Sequence, residues 1–285
     1  MAVPTEREKL RFRGRALARG RWIAMDSKLT VGRLLSDPEV SHRLWLQICA
    51  FKDAIMIDEP RKRELLDDVL EVIKKLDSVK YHHDNLIRIV SEELTARNTT
   101  KEPSAVTTFD LSTGAEKEFE ALLLQAKATL DVLVKALKPI AGIYLGTYAD
   151  DGTKVVKSLR NNLPNPLLPR AEWLISLVET AIPWVKQWVG PYRDTIAHYR
   201  SIESSGFVGI PDEKGHLRFF PPTDRTGASL TEIATLLFGE LITFCEEFLI
   251  CAYRIQILEA FQICIADERD RDAGLQTKFV LRMKE

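Results

Sequence analysis

Residues 229–266 read SLTEIATLLFGELITFCEEFLICAYRIQILEAFQICIA, and this apolar stretch decides the fold. Its apolar residues occupy almost every side of a helix, and a helix of that kind is buried all round. Charged residues interrupt the stretch at Glu240, Glu246, Glu247, Arg254 and Glu259. A membrane span needs about 20 largely apolar residues, so a span is not indicated. We expect the central helix of a helical bundle, and no membrane as a partner.

Two earlier segments carry the one-sided apolar pattern of helices that pack against such a core. Residues 60–96 predict a long helix that begins at Pro60, and its apolar stripe is Leu65, Val69, Val72, Leu76, Val79, Leu86 and Val90. A second helix opens at Thr113 with Glu116 at the spacing of a capping box. Its buried face is predicted to consist of Phe119, Leu122, Ala126, Leu130, Leu133 and Leu137.

Between residues 200 and 229 the pattern changes from helix to strand. Residues 207–210 and 217–220 are rich in aromatic and β-branched side chains and flank the turn-forming sequence Pro-Asp-Glu-Lys-Gly, residues 211–215. This arrangement predicts a small β-hairpin. The polar stretch at 98–112, which contains Pro103, predicts a boundary between structural units. We therefore divide the chain into an N-terminal helical region (1–110), a helical bundle (111–266) and a charged C-terminal tail (267–285).

Composition and charge narrow the function classes. The chain has 285 residues, is 45% hydrophobic, and balances 40 basic residues against 41 acidic ones. Such a chain has enough apolar mass to fold and is not basic overall. The N-terminal segment is an exception, because residues 7–28 hold eight basic residues against two acids. This segment is either a phosphate-binding arm for RNA or a solvated terminal helix.

The sequence predicts no metal and no cofactor. Four cysteines are present, but none forms a C-x-x-C pair, so a zinc site is not expected. The adjacent pair His82 and His83 does not share a helix face, and no third ligand is suitably spaced. No glycine-rich phosphate loop is present. With no secretory segment at the N-terminus, we expect reduced thiols and a cytoplasmic protein.

One short motif carries chemistry. Residues 191–200 read PYRDTIAHYR, in which Arg193 is followed directly by Asp194 and, after three more residues, by His198. From the residue frequencies of this chain, that strict spacing arises by chance about 0.03 times. We expect it to lie on a helix, ahead of the hairpin and of the long apolar helix.

This motif resembles the Arg-polar-x-x-x-His signature of the HEPN superfamily. The resemblance covers about residues 113–265 and implies an all-α, up-and-down helical bundle, with the hairpin as an insertion after the motif helix. It also implies a metal-independent endoribonuclease with a toxin or defence role. His198 would be the general acid or base, and Arg193 would bind the scissile phosphate. The resemblance further implies a homodimer, RNA as substrate and an antitoxin protein as a further partner.

Helix geometry assigns a supporting role to Asp194. At 100° per residue, Arg193 and His198 lie about 140° apart around an ideal helix, whereas Asp194 and His198 lie about 40° apart. Asp194 can therefore hold the imidazole, whereas Arg193 can converge with it if the helix is distorted, if the Arg193 side chain wraps round the helix, or if two copies form a composite site. Tyr192, Tyr199 and Arg200 flank the motif as candidate substrate-binding residues.

Two structural alternatives remain open. Arg193, Asp194 and His198 can instead form a salt-bridge cluster that fixes helix packing. The chain would then be a non-catalytic interaction or oligomerisation module, an interpretation that the tryptophan stripe Trp173, Trp184 and Trp188 also permits. The same flanking tyrosines can serve as packing residues.

Overall fold

A computed structural model of the chain describes residues 42–100, 108–110, 113–148, 152–189, 204–267 and 278–284. This part of the chain is mostly helical and also contains small antiparallel sheets. Its helices are α1 (Gln47–Phe51), α2 (Glu59–Thr100), α3 (Thr113–Leu133), α4 (Leu137–Ala141), α5 (Thr153–Asn162), α6 (Leu168–Trp184) and α7 (Leu230–Gln256). Its strands are β1 (Thr108–Asp110), β2 (Phe207–Pro211), β3 (Leu217–Phe220), β4 (Phe261–Ile265) and β5 (Phe279–Met283).

The chain divides into two compact units, each assembled from segments that are distant in sequence. Unit 1 consists of Met1–Lys74, Leu130–Pro183 and Phe244–Glu285, and unit 2 of Lys75–Thr129 and Trp184–Thr243. Each unit is described by itself.

The long helices lie where their apolar patterns predict them. Every residue of the stripe predicted for α2 is buried, as is every residue of the face predicted for the helix that begins at Thr113. That helix ends at Leu133, however, so Leu137, the last residue of the predicted face, lies on α4. The start of α3 at Thr113 is confirmed, and α2 extends a few residues beyond the predicted end. Apolar periodicity was sufficient here because each stripe is continuous and the helices are long.

In unit 1 the second half of α7 is buried nearly all round. From Phe244 to Ile255 all side chains except those of Glu247 and Arg254 are buried. The ring of Tyr253 contacts that of Phe51 in an edge-on arrangement, with centroids 6.4 Å apart. This confirms the prediction that α7 is a core helix, although only for the residues up to Gln256.

The predicted continuation of α7 to Ala266 is wrong, because α7 ends at Gln256 and a hairpin follows. After the helix, the Leu258 N–H donates to the Ala54 carbonyl at 2.8 Å, and the Met56 N–H donates to the Gln256 carbonyl at 2.7 Å. These bonds replace the next helical hydrogen bonds, so the helix cannot continue.

The second hairpin pairs β4 with β5, in the region assigned from sequence to the end of the helix and to the charged tail. The register places Ile263 opposite Leu281 and Phe261 opposite Met283. The Phe279 N–H donates to Gln47 Oε1 at 2.9 Å, which joins β5 to α1. Alternating apolar residues in both strands explain the pairing.

In unit 2 the predicted hairpin is confirmed and has one additional strand. The sheet order is β1–β2–β3, all antiparallel, with Gly209 opposite Phe219. The turn is held by Asp212, whose carboxylate accepts the Lys214 and His216 N–H groups at 2.8 and 2.9 Å. These backbone hydrogen bonds, that from His216 foremost, lower the pKa of Asp212. β1 comes from the polar stretch in which no strand was predicted.

The end of α2 is joined to this sheet by two adjacent side chains. The guanidinium of Arg97 lies over the Phe207 ring, 4.7 Å from its centroid, and near the Phe219 ring at 5.6 Å. The side chain of Asn98 accepts from the Phe219 N–H at 2.9 Å and donates to the Phe219 carbonyl at 3.3 Å. A cation–π contact and a pair of hydrogen bonds from a side chain to the β3 backbone thus anchor the hairpin to the helix.

Within the described residues, no helix combines the length and the apolar character needed to cross a membrane.

Candidate functional site

All of the motif residues predicted to act on substrate lie outside the described residues. They are Tyr192, Arg193, Asp194, His198, Tyr199 and Arg200. The roles assigned to them therefore stay predictions. The structure describes the residues on either side of this segment, up to Val189 and from Ser204 onward.

Both ends of the motif segment are anchored in unit 2. On the N-terminal side, the π-helical turn Val185–Val189 follows α6 and buries Val185 and Val189. On the C-terminal side, Ser204 bridges to Asp224, and its hydroxyl donates to Oε1 of Glu116. The described chain thus stops at the buried Val189 and resumes at the hydrogen-bonded Ser204.

The Asp224 loop fixes the position of Ser204. Asp224 is buried, and its Oδ1 accepts from the Thr226 N–H at 2.8 Å and the Ala228 N–H at 3.0 Å. The Ser205 N–H donates to the Thr223 carbonyl at 2.9 Å. Because backbone donors converge on one carboxylate, this loop is a rigid attachment rather than a loose connection.

A histidine-centred cluster joins α2 to α7 within unit 2. His83 Nδ1 lies 2.9 Å from Asp84 Oδ1, and His83 Nε2 lies 3.1 Å from Thr235 Oγ1. The imidazole stacks on the Phe238 ring, with centroids 5.6 Å apart. The His83 side chain is only 16% exposed, whereas that of Asp84 is 54% exposed. A hydroxyl, an imidazole and a carboxylate are thus in the order found in nucleophile–base–acid arrangements.

The hydrogen bonds of this cluster indicate that the Thr235 hydroxyl has a structural role and is not a nucleophile. The Thr235 hydroxyl donates to the Thr231 carbonyl at 2.8 Å, so it accepts from the imidazole. All of these bonds form together when both ring nitrogens of His83 carry protons. Burial opposes the ionisation of Asp84, but hydrogen bonds from Lys80 and His83 outweigh it and hold the pKa of Asp84 below its usual range. The cluster therefore joins α2 to α7 through a hydrogen bond and a ring stack, and the Thr235 hydroxyl is not free to act as a nucleophile.

His82 and His216 have partners of their own. His82 Nδ1 lies 2.7 Å from Glu118 Oε2, on a different side of α2 from the His83 contacts. In the hairpin, His216 Nδ1 is 3.9 Å from Asp212 Oδ2, and Arg218 lies over the Phe220 ring at 5.5 Å. No group of three or more His, Cys, Asp or Glu side chains that could hold a metal ion occurs in the described residues.

The cysteines are free thiols in two kinds of environment. Cys245 and Cys251 are buried on α7, and burial raises the pKa of both thiols, that of Cys251 to about 12. Cys49 is half-buried, and burial raises its pKa as well. A nucleophilic thiolate needs a lowered pKa, so these three thiols are suited to packing.

The tryptophan stripe is only partly buried. Trp173 is half-buried in unit 1, where the guanidinium of Arg254 lies 3.3 Å from the centroid of its ring. Trp184 is half-buried in unit 2, and the side chain of Trp188 lies outside the described residues. Nothing in the sequence around Arg254 signals its contact with Trp173, because the two residues lie on helices far apart in the chain.

The chain matches no protein-family model, no curated protein and no solved structure. The HEPN resemblance therefore rests on the motif residues themselves.

Proposed function

We propose that this chain is a HEPN-like, metal-independent endoribonuclease with a toxin or defence role. The observation that carries the proposal is the strict Arg193-Asp194-x-x-x-His198 spacing in a mostly helical chain. The proposal places the protein in the cytoplasm, acting as a homodimer on RNA, with an antitoxin protein as its regulator. No cofactor enters the reaction.

The reaction is an internal transfer at phosphorus. His198 accepts the proton of the RNA 2′-hydroxyl, and the 2′ oxygen attacks the adjacent phosphorus. The bond from phosphorus to the 5′ oxygen breaks, and this oxygen leaves with a proton delivered by the imidazolium. The products are a 2′,3′-cyclic phosphate and a 5′-hydroxyl. Histidine suits both proton transfers because its ordinary pKa lies near working pH.

Arg193 and Asp194 support this step in different ways. The planar guanidinium of Arg193 binds the phosphate oxygens and stabilises the charge that develops in the transition state. Asp194 lies one helical turn before His198 and orients its imidazole. Because Arg193 and His198 are about 140° apart on an ideal helix, two facing copies of the motif complete one site more readily than a single copy.

The flanking residues extend the site. Tyr192 and Tyr199 are placed to stack on bases or to donate to phosphate, and Arg200 is a second phosphate contact. The overall balance of 40 basic and 41 acidic residues excludes a protein that is basic over its whole surface, but it is compatible with a local phosphate-binding site at these residues.

The test is cleavage of RNA by the purified chain in EDTA, with analysis of the new ends. We expect 2′,3′-cyclic phosphate products, and a loss of about 10²- to 10⁴-fold in rate for His198→Ala and Arg193→Ala. His216→Ala is the matched control, because this histidine belongs to a hairpin turn. The His216 variant should cleave as fast as the parent. Undiminished cleavage by the His198 variant, or no cleavage of any RNA, contradicts the proposal.

The alternative, an interaction module in which the motif is structural, makes the opposite prediction. There His198→Ala would lower the melting temperature or disrupt assembly while the parent cleaves nothing. Thermal melting and size-exclusion chromatography of the same variants separate the two cases. Arg254 covers one face of the Trp173 ring, so that face is not available to a protein partner.

A further inference from the structure

Two arginines and a tryptophan in unit 1 form a cluster that the proposed ribonuclease chemistry does not use. Arg170 and Trp173 lie three residues apart on α6 and therefore share a face. Arg254, near the end of α7, stacks its guanidinium on Trp173 at 3.3 Å from the ring centroid. We refer to Arg170, Trp173 and Arg254 as the arginine–tryptophan cluster.

Arg170 binds a carboxylate of the same chain, that of Glu259. Its Nη1 donates to the Ile257 carbonyl at 3.0 Å, just beyond the end of α7, and its Nη2 donates to Glu259 Oε1 at 3.1 Å. The Glu259 side chain is 85% exposed, whereas that of Arg170 is 25% exposed. An exposed carboxylate held by one such ion pair contributes little stability, so it is readily displaced.

Arg254 has a cationic group without a matching anion. Its Nη1 is buried and has no hydrogen-bond partner, and no carboxylate of the described chain forms an ion pair with it. Burial first, and the nearby charge of Arg170 as well, lower the pKa of Arg254, while the electrostatic influence of Cys251 acts in the opposite direction. A half-buried guanidinium beside a second one is costly unless an anion compensates it.

We propose that the arginine–tryptophan cluster is a binding site for a phosphate dianion, either free or as the terminal phosphate of a small molecule. Two guanidinium groups supply two positive charges and planar donors that match phosphate oxygens. Glu259 occupies the Arg170 side of the site when the anion is absent. Trp173 fixes the position of the Arg254 guanidinium, whose unpaired Nη1 is the donor proposed for the ligand. The proposal does not depend on ribonuclease activity.

Inorganic phosphate is the probe, titrated into the full chain at pH 7.5 with sodium chloride adjusted to constant ionic strength. Trp173 emission reports occupancy, and calorimetry gives the affinity. We expect a saturable fluorescence change that Trp173→Phe removes, and at least tenfold weaker binding for Arg254→Gln. Glu259→Gln should bind several-fold more tightly, because it removes the internal competitor.

The control is Arg160→Gln, which removes the same charge from an exposed pair with Glu179 and should leave the affinity unchanged. Dimethyl phosphate, a monoanion like the backbone of RNA, should bind at least fivefold more weakly than phosphate. If Arg254→Gln does not fold, the tighter phosphate binding expected of Glu259→Gln tests the proposal instead. The absence of saturable binding, equal losses in the Arg160 and Arg254 variants, or equal binding of dimethyl phosphate overturns the proposal.

Discussion

Asp68 is a half-buried carboxyl group on α2 whose surroundings oppose its ionisation. Burial and, next, the neighbouring carboxylate of Glu64 raise its pKa to about 6, although Lys135 and Lys138 act in the opposite direction. Lys138 is itself paired with Glu64, which leaves Asp68 without the full benefit of that cation. The folded chain therefore binds a proton at Asp68 more tightly than the unfolded chain does.

This raised pKa predicts how stability depends on pH. The protonated Asp68 contributes to the free energy of unfolding. This contribution is fully present below the pKa of Asp68 in the unfolded chain, near 4, and is lost as the pH rises through about 6. At pH 7.5 the ionised group destabilises the fold, by about 1 kcal/mol once solvent screening of a half-exposed group is allowed for. Asp68→Asn should therefore be more stable than the parent at pH 7.5, but not at pH 4.5.

Urea unfolding at the two pH values measures this difference. Glu172→Gln is the control, because Glu172 is exposed, carries the same charge and is not among the groups that shift the pKa of Asp68. Its stability should follow that of the parent at both pH values. An Asp68 variant whose advantage is the same at pH 4.5 and 7.5 would show that ionisation of Asp68 is not responsible.

At the same scale, the residues of the His83 cluster show why contacts were harder to predict than helices. The sequence places His83 on the apolar stripe of α2, but its partner Thr235 is 152 positions away on α7. No local pattern marks such a pair, whereas the Thr113 and Glu116 spacing marked the start of α3 directly.

The connection between α4 and α5 depends on two glycines with positive φ. Gly142 ends α4 at φ 71°, where its N–H donates to the Lys138 carbonyl at 2.9 Å. Gly152 precedes α5 at φ 82° and lies against the buried ring of Tyr148. Asp131 secures the same connection, since its carboxylate accepts from the Thr147 hydroxyl at 2.6 Å and the Tyr148 N–H at 2.9 Å.

The two glycines provide a matched pair of substitutions. At Gly142 an added Cβ meets nothing within 4 Å, so Gly142→Ala should lose about 1 kcal/mol through backbone strain alone. At Gly152 the Cβ would lie 2.5 Å from the Tyr148 hydroxyl oxygen, so Gly152→Ala adds a steric clash in the core and should lose roughly 3 kcal/mol. Chemical denaturation of both variants measures the difference. Equal losses would contradict a close approach of Gly152 to Tyr148.

For the whole molecule, the structure assigns the C-terminal residues a role in unit 1. β5 pairs with all of β4, Val280 is buried, and Lys278 Nζ lies 2.6 Å from Glu247 Oε1. These contacts connect residues near the end of the chain to α7 and to the strand that follows it. A charged tail with no partners would have none of them.

Truncation tests this assignment. A chain ending at Asp267 loses β5, with one buried and two half-buried apolar side chains, and should be about 3 kcal/mol less stable than the parent. A chain ending at Lys284 retains β5 and should match the parent. Urea midpoints of the three chains provide the comparison, and equal stability of the Asp267 truncation would contradict a structural role for β5.

The sequence by itself determined the long helices, apart from the end of α7, and the β2–β3 hairpin. Those features depend on local periodicity, turn residues and the types of side chain present, all of which can be read along the chain. Only the tertiary structure decided where α7 ends, because the backbone groups beyond Gln256 bond to residues 54–56 instead of to the preceding helical turn. Likewise, Arg254 meets Trp173 only after folding. Contacts of this kind depend on packing between distant segments, and no single stretch of sequence encodes that packing.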